Sequence, residues 1–213
     1  MTRYYPINLA LKNKMCLVIG AGSVALRKVR RLLACGAKVI VISPSATPGL
    51  TVLANKGKIV LKRKKAALRD LKGARLVIAA TTDRAVNAAV STYCNRNGIL
   101  VNVVDSPEEC NFILPSIIRR GDLAISISTD GVSPALSKKI RRDLEKAYGA
   151  EYAGLLRLMK RMRPQAIKGI KSARARKEFF NRMLQPEILN LIKRNKPALA
   201  LRSMKRILAD AAK

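Results

Sequence analysis

Along the first half of the chain, short apolar runs alternate with segments whose apolar positions recur at helical spacing. Residues 15–19 form a β-rich apolar run ending at Gly20, which predicts a buried strand. The small-residue stretch Gly20-Ala21-Gly22-Ser23-Val24-Ala25 then opens a helical segment that reaches Ala34 and stops at Gly36. Its spacing turns Val24, Val29, Leu32 and Leu33 toward a sheet and Arg27, Lys28, Arg30 and Arg31 toward water. Residues 38–43 predict a second strand, ended by Pro44, which has no N–H to give a ladder. A short helix over 50–55 and a third strand over 58–61 follow. Residues 75–80 predict a fourth strand, uniformly apolar as strands covered on both faces are. A helix over 84–97 and a fifth strand over 99–104 complete the series. Strands alternating with helices at this spacing predict a parallel α/β sheet.

The pattern then changes. Residues 112–118 are apolar, 119–122 read as a turn, and 123–128 alternate, so the two runs are expected to pair antiparallel. Ser133-Pro134 opens a helix through about Ala147, with Ser133 as N-cap and Pro134 in the first helical position. From Ala150 onward every segment reads as helical, with breaks expected near Pro164, Pro186 and Pro197.

With 213 residues and 49% apolar content, the chain has enough material for a folded core and a smaller appended unit. No apolar stretch reaches the length of a bilayer span, and residues 1–6 lack the apolar core of a signal peptide, so the expected compartment is the cytoplasm with no membrane partner. Cys16, Cys35, Cys94 and Cys110 form no C-x-x-C pair and read as buried reduced thiols. The chain has no His, which excludes an imidazole base or a Ser-His triad, and no metal site is expected. The charge changes the picture more. Lys plus Arg number 43 against 13 acids, a formal +30. Such a field attracts polyanions, whether nucleic acid, a membrane surface or a small polycarboxylate. A general adaptation of the proteome is the lesser alternative, suggested by the dispersal of the basic residues along the chain.

The glycine stretch carries the sharpest chemistry. Placed between a strand and a helix, Gly20 permits a tight turn, Gly22 lets backbone approach a pyrophosphate, and Ala25 keeps helix and strand close. The N–H groups near Ser23 and Val24 then meet phosphate at the positive end of the helix. This fingerprint predicts a Rossmann-type dinucleotide-binding unit. One expected feature is missing: the second strand ends in Ser43-Pro44-Ser45 where an acid would hold the ribose hydroxyls, so residue chemistry leaves NAD and NADP open. Asp105 lies just past the fifth strand, at the sheet edge where ligands bind. Its carboxylate suits a general base, and equally a turn aspartate capping the next residues. The turn from Ser128 to Pro134, with the hydroxyls of Ser128, Thr129 and Ser133, can hold a carboxylate or serve as an ordinary cap, the simpler reading. The run Lys62-Arg63-Lys64-Lys65 reads as a solvated face.

Together these segments resemble the siroheme-synthase N-terminal family of precorrin-2 dehydrogenases, some of which also insert iron. The resemblance covers roughly residues 4–148 and rests on several segments in order. They are Tyr5-Pro6-Ile7-Asn8-Leu9, the run from Cys16 to Lys28, Ala79-Ala80-Thr81-Thr82-Asp83 with Val86-Asn87, Val101-Asn102-Val103-Val104-Asp105, Phe112-Ile113-Leu114-Pro115-Ser116, and Ser126 to Leu136. It implies NAD-dependent oxidation of precorrin-2 to sirohydrochlorin, with Asp105 catalytic. It implies NAD contacts at Ser23, Val24, Ser43, Pro44 and the Ala80-Thr81-Thr82 turn. The implied architecture is a Rossmann domain over 1–113, a small α+β dimerisation region over 114–148 and a helical C-terminal domain over 149–213, in a homodimer. At this length the methyltransferase domain of the fused family members is not expected, and without His neither is efficient iron insertion. Two other readings compete. A chelatase that keeps the NAD fold as scaffold would insert metal without reducing NAD. An NAD-sensing or nucleic-acid-binding regulator would use the basic tail, but few aromatics and dispersed charge argue against it.

Overall fold

The computed structural model describes residues 3–212; Met1 and Thr2, part of the segment read for a signal peptide, and Lys213, the end of the tail, lie outside them. The chain divides into two compact units, Met1–Leu114 and Pro115–Lys213.

In the first unit, β1 (Met15–Ile19), β2 (Lys38–Ile42), β3 (Val60–Lys62), β4 (Leu76–Ala79) and β5 (Leu100–Val103) form one sheet in the order β3-β2-β1-β4-β5. Every pairing in it is parallel. Three helices connect the strands: α1 (Ser23–Ala34), α2 (Pro48–Asn55) and α3 (Arg84–Arg96). Two hydrophobic clusters follow from the strand alternation. Cys16, Val18, Val39, Val41, Leu76 and Ile78 pack with Ala25, Val29 and Leu32 of α1 and Leu50 of α2. Leu17, Ile19, Val77, Ala79, Val101 and Val103 pack on the other face with Val90 and Cys94 of α3. Fully burying a side chain such as Leu50 contributes about 1.5–3 kcal/mol, so both covered faces hold the sheet rigid under its loops. The edge of β5 is closed by the following loop. Asn111 donates its backbone N–H to Val101 O (3.1 Å), accepts from Val101 N–H at Oδ1 (2.7 Å) and donates from Nδ2 to Ile99 O (2.9 Å).

In the second unit, β6 (Ser116–Arg120) and β7 (Leu123–Ile127) form an antiparallel hairpin about Gly121-Asp122, with Gly121 at φ +58°. Next come α4 (Pro134–Ala147) and four helices, α5 (Glu151–Gly169), α6 (Ala173–Arg182), α7 (Pro186–Lys193) and α8 (Pro197–Ala211). Met162, Phe179, Met183, Ile188 and Met204 make the core of that bundle.

Four expectations are corrected. The hairpin strand begins at Ser116, not Phe112, and keeps Arg119 and Arg120 in the ladder. Phe112 packs instead into the first unit's core, and Pro115 has no N–H to extend a ladder. Helix α5 runs through Pro164 without a break, because packing of Leu155, Met162 and Ala166 outweighs the lost hydrogen bond. Cys35 is exposed rather than buried, at the C-cap of α1, and Cys110 is half-buried. Lys28 is half-buried rather than water-facing, since it stands three residues after buried Ala25 and beside buried Val29.

Candidate dinucleotide site

Parallel strands deliver their carboxyl ends, and the loops that follow, to one edge of the sheet. The first unit therefore gathers Gly20–Val24, Ser43-Pro44, Ala80-Thr81-Thr82 and Asp105 there. The two glycines of the loop differ in their surroundings. Gly20 has φ +99°, and a Cβ placed on it would lie 2.3 Å from Ala80 O and 3.1 Å from Thr81 N. Only glycine lets the β1 loop lie against the β4 loop this closely. At Gly22 a Cβ would meet nothing within 4 Å, so the backbone there faces open space. Gly22 is the N-cap of α1 and has no side chain to bond the first turn, which contains no acid. The first intrahelical bond runs from Leu26 N to Gly22 O, 3.0 Å. The amides of Ser23, Val24 and Ala25 precede it and are left for an external acceptor at the positive end of the helix dipole. Open space above free amides fits a pyrophosphate.

The loops around this point are tied together. Gly20 N–H donates to Ile42 O (2.9 Å), Ala80 N–H to Ile19 O (2.8 Å), Ser43 N–H to Lys62 O (3.1 Å) and Thr47 N–H to Ala21 O (3.1 Å). Ser43 is buried and Pro44 exposed. The Thr81 hydroxyl accepts from Asp83 N–H (3.0 Å) and lies 3.0 Å from Asn87 Oδ1, while Asn87 Nδ2 donates to Thr81 O (3.1 Å). That hydroxyl is thus engaged in shaping its own turn; Thr82 is exposed. Asp83 caps α3 by accepting from Val86 N–H.

Asp105 is exposed and holds φ +60°, a left-handed conformation that breaks the extended path of β5. The N-cap of the following 3₁₀ turn (Pro107–Glu109) is Ser106, so Asp105 does not cap it. Behind Asp105 the loop is rigid. The Cys110 thiol accepts from Val103 N–H (3.1 Å) and donates to Val103 O (3.3 Å) or Ser106 O (3.2 Å), and Arg84 donates to the Ser106 hydroxyl. Burial raises the Cys110 pKa and keeps it a thiol. The half-buried Lys28 ammonium is pushed below the usual lysine range by burial and by Arg31 and Arg27, and the acidic groups Cys110 and Asp105 oppose this. Lys28 is the site neighbour that sequence reasoning missed; its position one turn from Ala25 was the available signal. Among the described residues, no group of three or more His, Cys, Asp or Glu side chains is placed to hold a metal ion.

Ser128, Thr129 and Ser133 lie in the second unit. Their hydroxyls are engaged in the turn: Ser128 accepts from Asp130 N–H (3.0 Å), Thr129 from Ser133 N–H (3.1 Å), and Ser133 from Leu136 N–H (3.2 Å) as the cap of α4.

A parallel sheet with a glycine loop opening onto a helix N-terminus defines a Rossmann-type nucleotide-binding protein. An NAD(P)-binding family model matches residues 7–116, a sirohaem biosynthesis protein central region matches 120–147, and a sirohaem synthase dimerisation region matches 151–208. The chain belongs to this NAD(P)-binding family, carrying the two sirohaem-type regions behind it. A siroheme synthase of Methylococcus capsulatus is 44% identical over 182 residues, covering 85% of this chain and 38% of the relative. One from Chromobacterium violaceum is 37% identical over 210 residues, covering 98% and 45%. The chain thus spans about two fifths of the length of these curated relatives. Among solved structures, SirC, a precorrin-2 dehydrogenase, superposes with a TM-score of 0.78 at 28% identity, over 95% of this chain and 100% of that one.

Proposed function

We propose that this chain oxidises precorrin-2 to sirohydrochlorin with NAD, as a homodimer in the cytoplasm. The observation that carries the reading is the end-to-end superposition on SirC, joined to a glycine loop whose free amides fit a pyrophosphate. NAD, when bound, supplies the hydride acceptor. The chain's own groups do the rest. Gly20 holds the loop, Gly22 leaves open space for the phosphate, and the free amides of Ser23 and Val24 bind it. Ser43 and Pro44 border the ribose, and the Ala80-Thr81-Thr82 turn walls the cleft. The oxidation removes one hydride and one proton from the macrocycle, and the Asp105 carboxylate takes the proton. Its left-handed backbone presents it at the sheet edge. Ser128, Thr129 and Ser133 belong to the substrate side of the reading, where the turn that their hydroxyls hold together meets the carboxylates of precorrin-2, and the positive field aids capture. The domains run over 1–113 for NAD, 114–148 and 149–213, with the interface in the last two.

The test is anaerobic turnover of precorrin-2 by the pure protein with NAD, followed by NADH formation and the sirohydrochlorin spectrum. Asp105→Ala is expected to lower kcat by about a hundredfold or more while NAD binding and the circular dichroism spectrum stay unchanged. Full turnover in that variant would remove Asp105 from the mechanism; no turnover by the wild type with intact NAD binding would remove the substrate.

A further inference from the structure

The residues beyond the ribose edge hold information about which dinucleotide fits. In Rossmann-type sites an acid at the end of the second strand binds the 2′-hydroxyl of NAD, whereas an arginine close by accommodates the 2′-phosphate of NADP. The acid is absent here more thoroughly than one position shows. No Asp or Glu precedes Asp70 in the chain, so β1, the glycine loop, α1, β2, α2 and β3 contain none. Asp70 itself is occupied, since its carboxylate accepts from Lys64 Nζ at 2.6 and 2.7 Å and from Ala67 N–H at 2.9 Å.

A cation stands where the acid is missing. Strand β3 runs parallel beside β2 with Lys62 opposite Ile42, and Ser43 N–H donates to Lys62 O. The next residue, Arg63, thus leaves the sheet beside Ser43-Pro44-Ser45. It is exposed, and its Nη2 donates to Thr51 Oγ1 at 3.3 Å. Thr51 Oγ1 is 3.4 Å from Thr47 O, and Thr47 N–H donates to Ala21 O in the glycine loop. A continuous line of contacts therefore joins the guanidinium to the loop that fits the pyrophosphate. Of the basic run at 62–65, Lys64 is paired with Asp70, which leaves Arg63 as the planar fork nearest the end of β2.

We propose that this site accepts the 2′-phosphorylated dinucleotide NADP as well as NAD, with Arg63 as the specificity-determining residue that pairs with the 2′-phosphate. The inference rests on the dinucleotide-binding reading above and deepens it. A guanidinium–phosphate pair is a charge-assisted, two-pronged interaction, worth about a tenfold change in affinity at an exposed site.

The experiment is calorimetric titration of wild-type protein with NAD, NADP, 5′-AMP and adenosine 2′,5′-bisphosphate at moderate salt, repeated on Arg63→Glu and Arg96→Glu. The last is a charge control: Arg96 is exposed at the carboxyl end of α3, toward the opposite edge of the sheet. Wild type is expected to bind NADP within about tenfold of NAD. R63E should weaken the two 2′-phosphorylated ligands about tenfold or more and leave NAD and 5′-AMP within about threefold, while R96E changes neither class. NADP binding a hundredfold or more weaker than NAD in the wild type would overturn the proposal, as would equal losses in R63E and R96E. Failure of every ligand to bind would instead refute the dinucleotide site, and this inference with it.

Discussion

Single residues at the sheet edge separate structural from functional demands. Gly20 and Gly22 share one loop, yet one faces the Ala80 carbonyl and the other faces open space. Gly20→Ala forces a side chain into a left-handed conformation and into backbone 2.3 Å away, so we expect a loss of about 2–3 kcal/mol, read by urea unfolding. Gly22→Ala should unfold like the wild type and bind NAD about tenfold or more weaker in titration, because its methyl occupies the approach to the amides. Asp70 carries a pH dependence. The Lys64 hydrogen bond, helped by Ala67 N–H, holds its carboxyl below the usual carboxylate range. A depressed folded-state pKa adds stability above the unfolded value and loses it as pH falls through the folded one. The stability difference between wild type and Asp70→Asn should therefore be level from neutrality down to about pH 4 and shrink below it. A difference that persists unchanged into acid would show that the pair does not govern it. The glycine loop was legible in the sequence because its turn chemistry is local, whereas the close approach of Gly20 to Ala80 was not. The role of Asp70 was not legible either, because its partner Lys64 meets it only through the turn between them.

At the scale of elements, the parallel series was readable because covered strands are apolar throughout and their helices carry an apolar stripe. What misled was punctuation. Pro164 reads as a stop, but α5 continues through it and places Met162 and Ala166 in a helical core. The ring is exposed and costs the helix one hydrogen bond. Pro164→Ala is therefore expected to stabilise the protein by about 1–3 kcal/mol in thermal or denaturant unfolding. Destabilisation by that substitution would show that the ring makes contacts of its own. Pro186 and Pro197, by contrast, begin α7 and α8, where the missing N–H has no partner to lose. The apolar run at 112–118 was misread for a related reason. Periodicity describes which residues seek burial and not which core receives them, and Phe112 belongs to the sheet unit while Ile118 belongs to the hairpin.

Across the whole molecule, the formal charge of +30 is dispersed over both units, and only a few cations are paired with acids among the described residues. Such a field draws in polycarboxylate substrates and anionic cofactors without choosing among them. In the function proposed above, choice rests with placed groups: free amides at the start of α1, Arg63 beside the end of β2, and Asp105 in its left-handed turn. The sequence by itself determined the order of elements, the glycine loop and the candidacy of Asp105, because hydrophobic period and turn chemistry act between near neighbours. The tertiary structure alone decided that Arg63 stands beside Ser43, that Lys28 is half-buried and that Asn111 closes the edge of β5. The first and last of these join residues well apart in the chain, and only the stacking of strands in register brings them together.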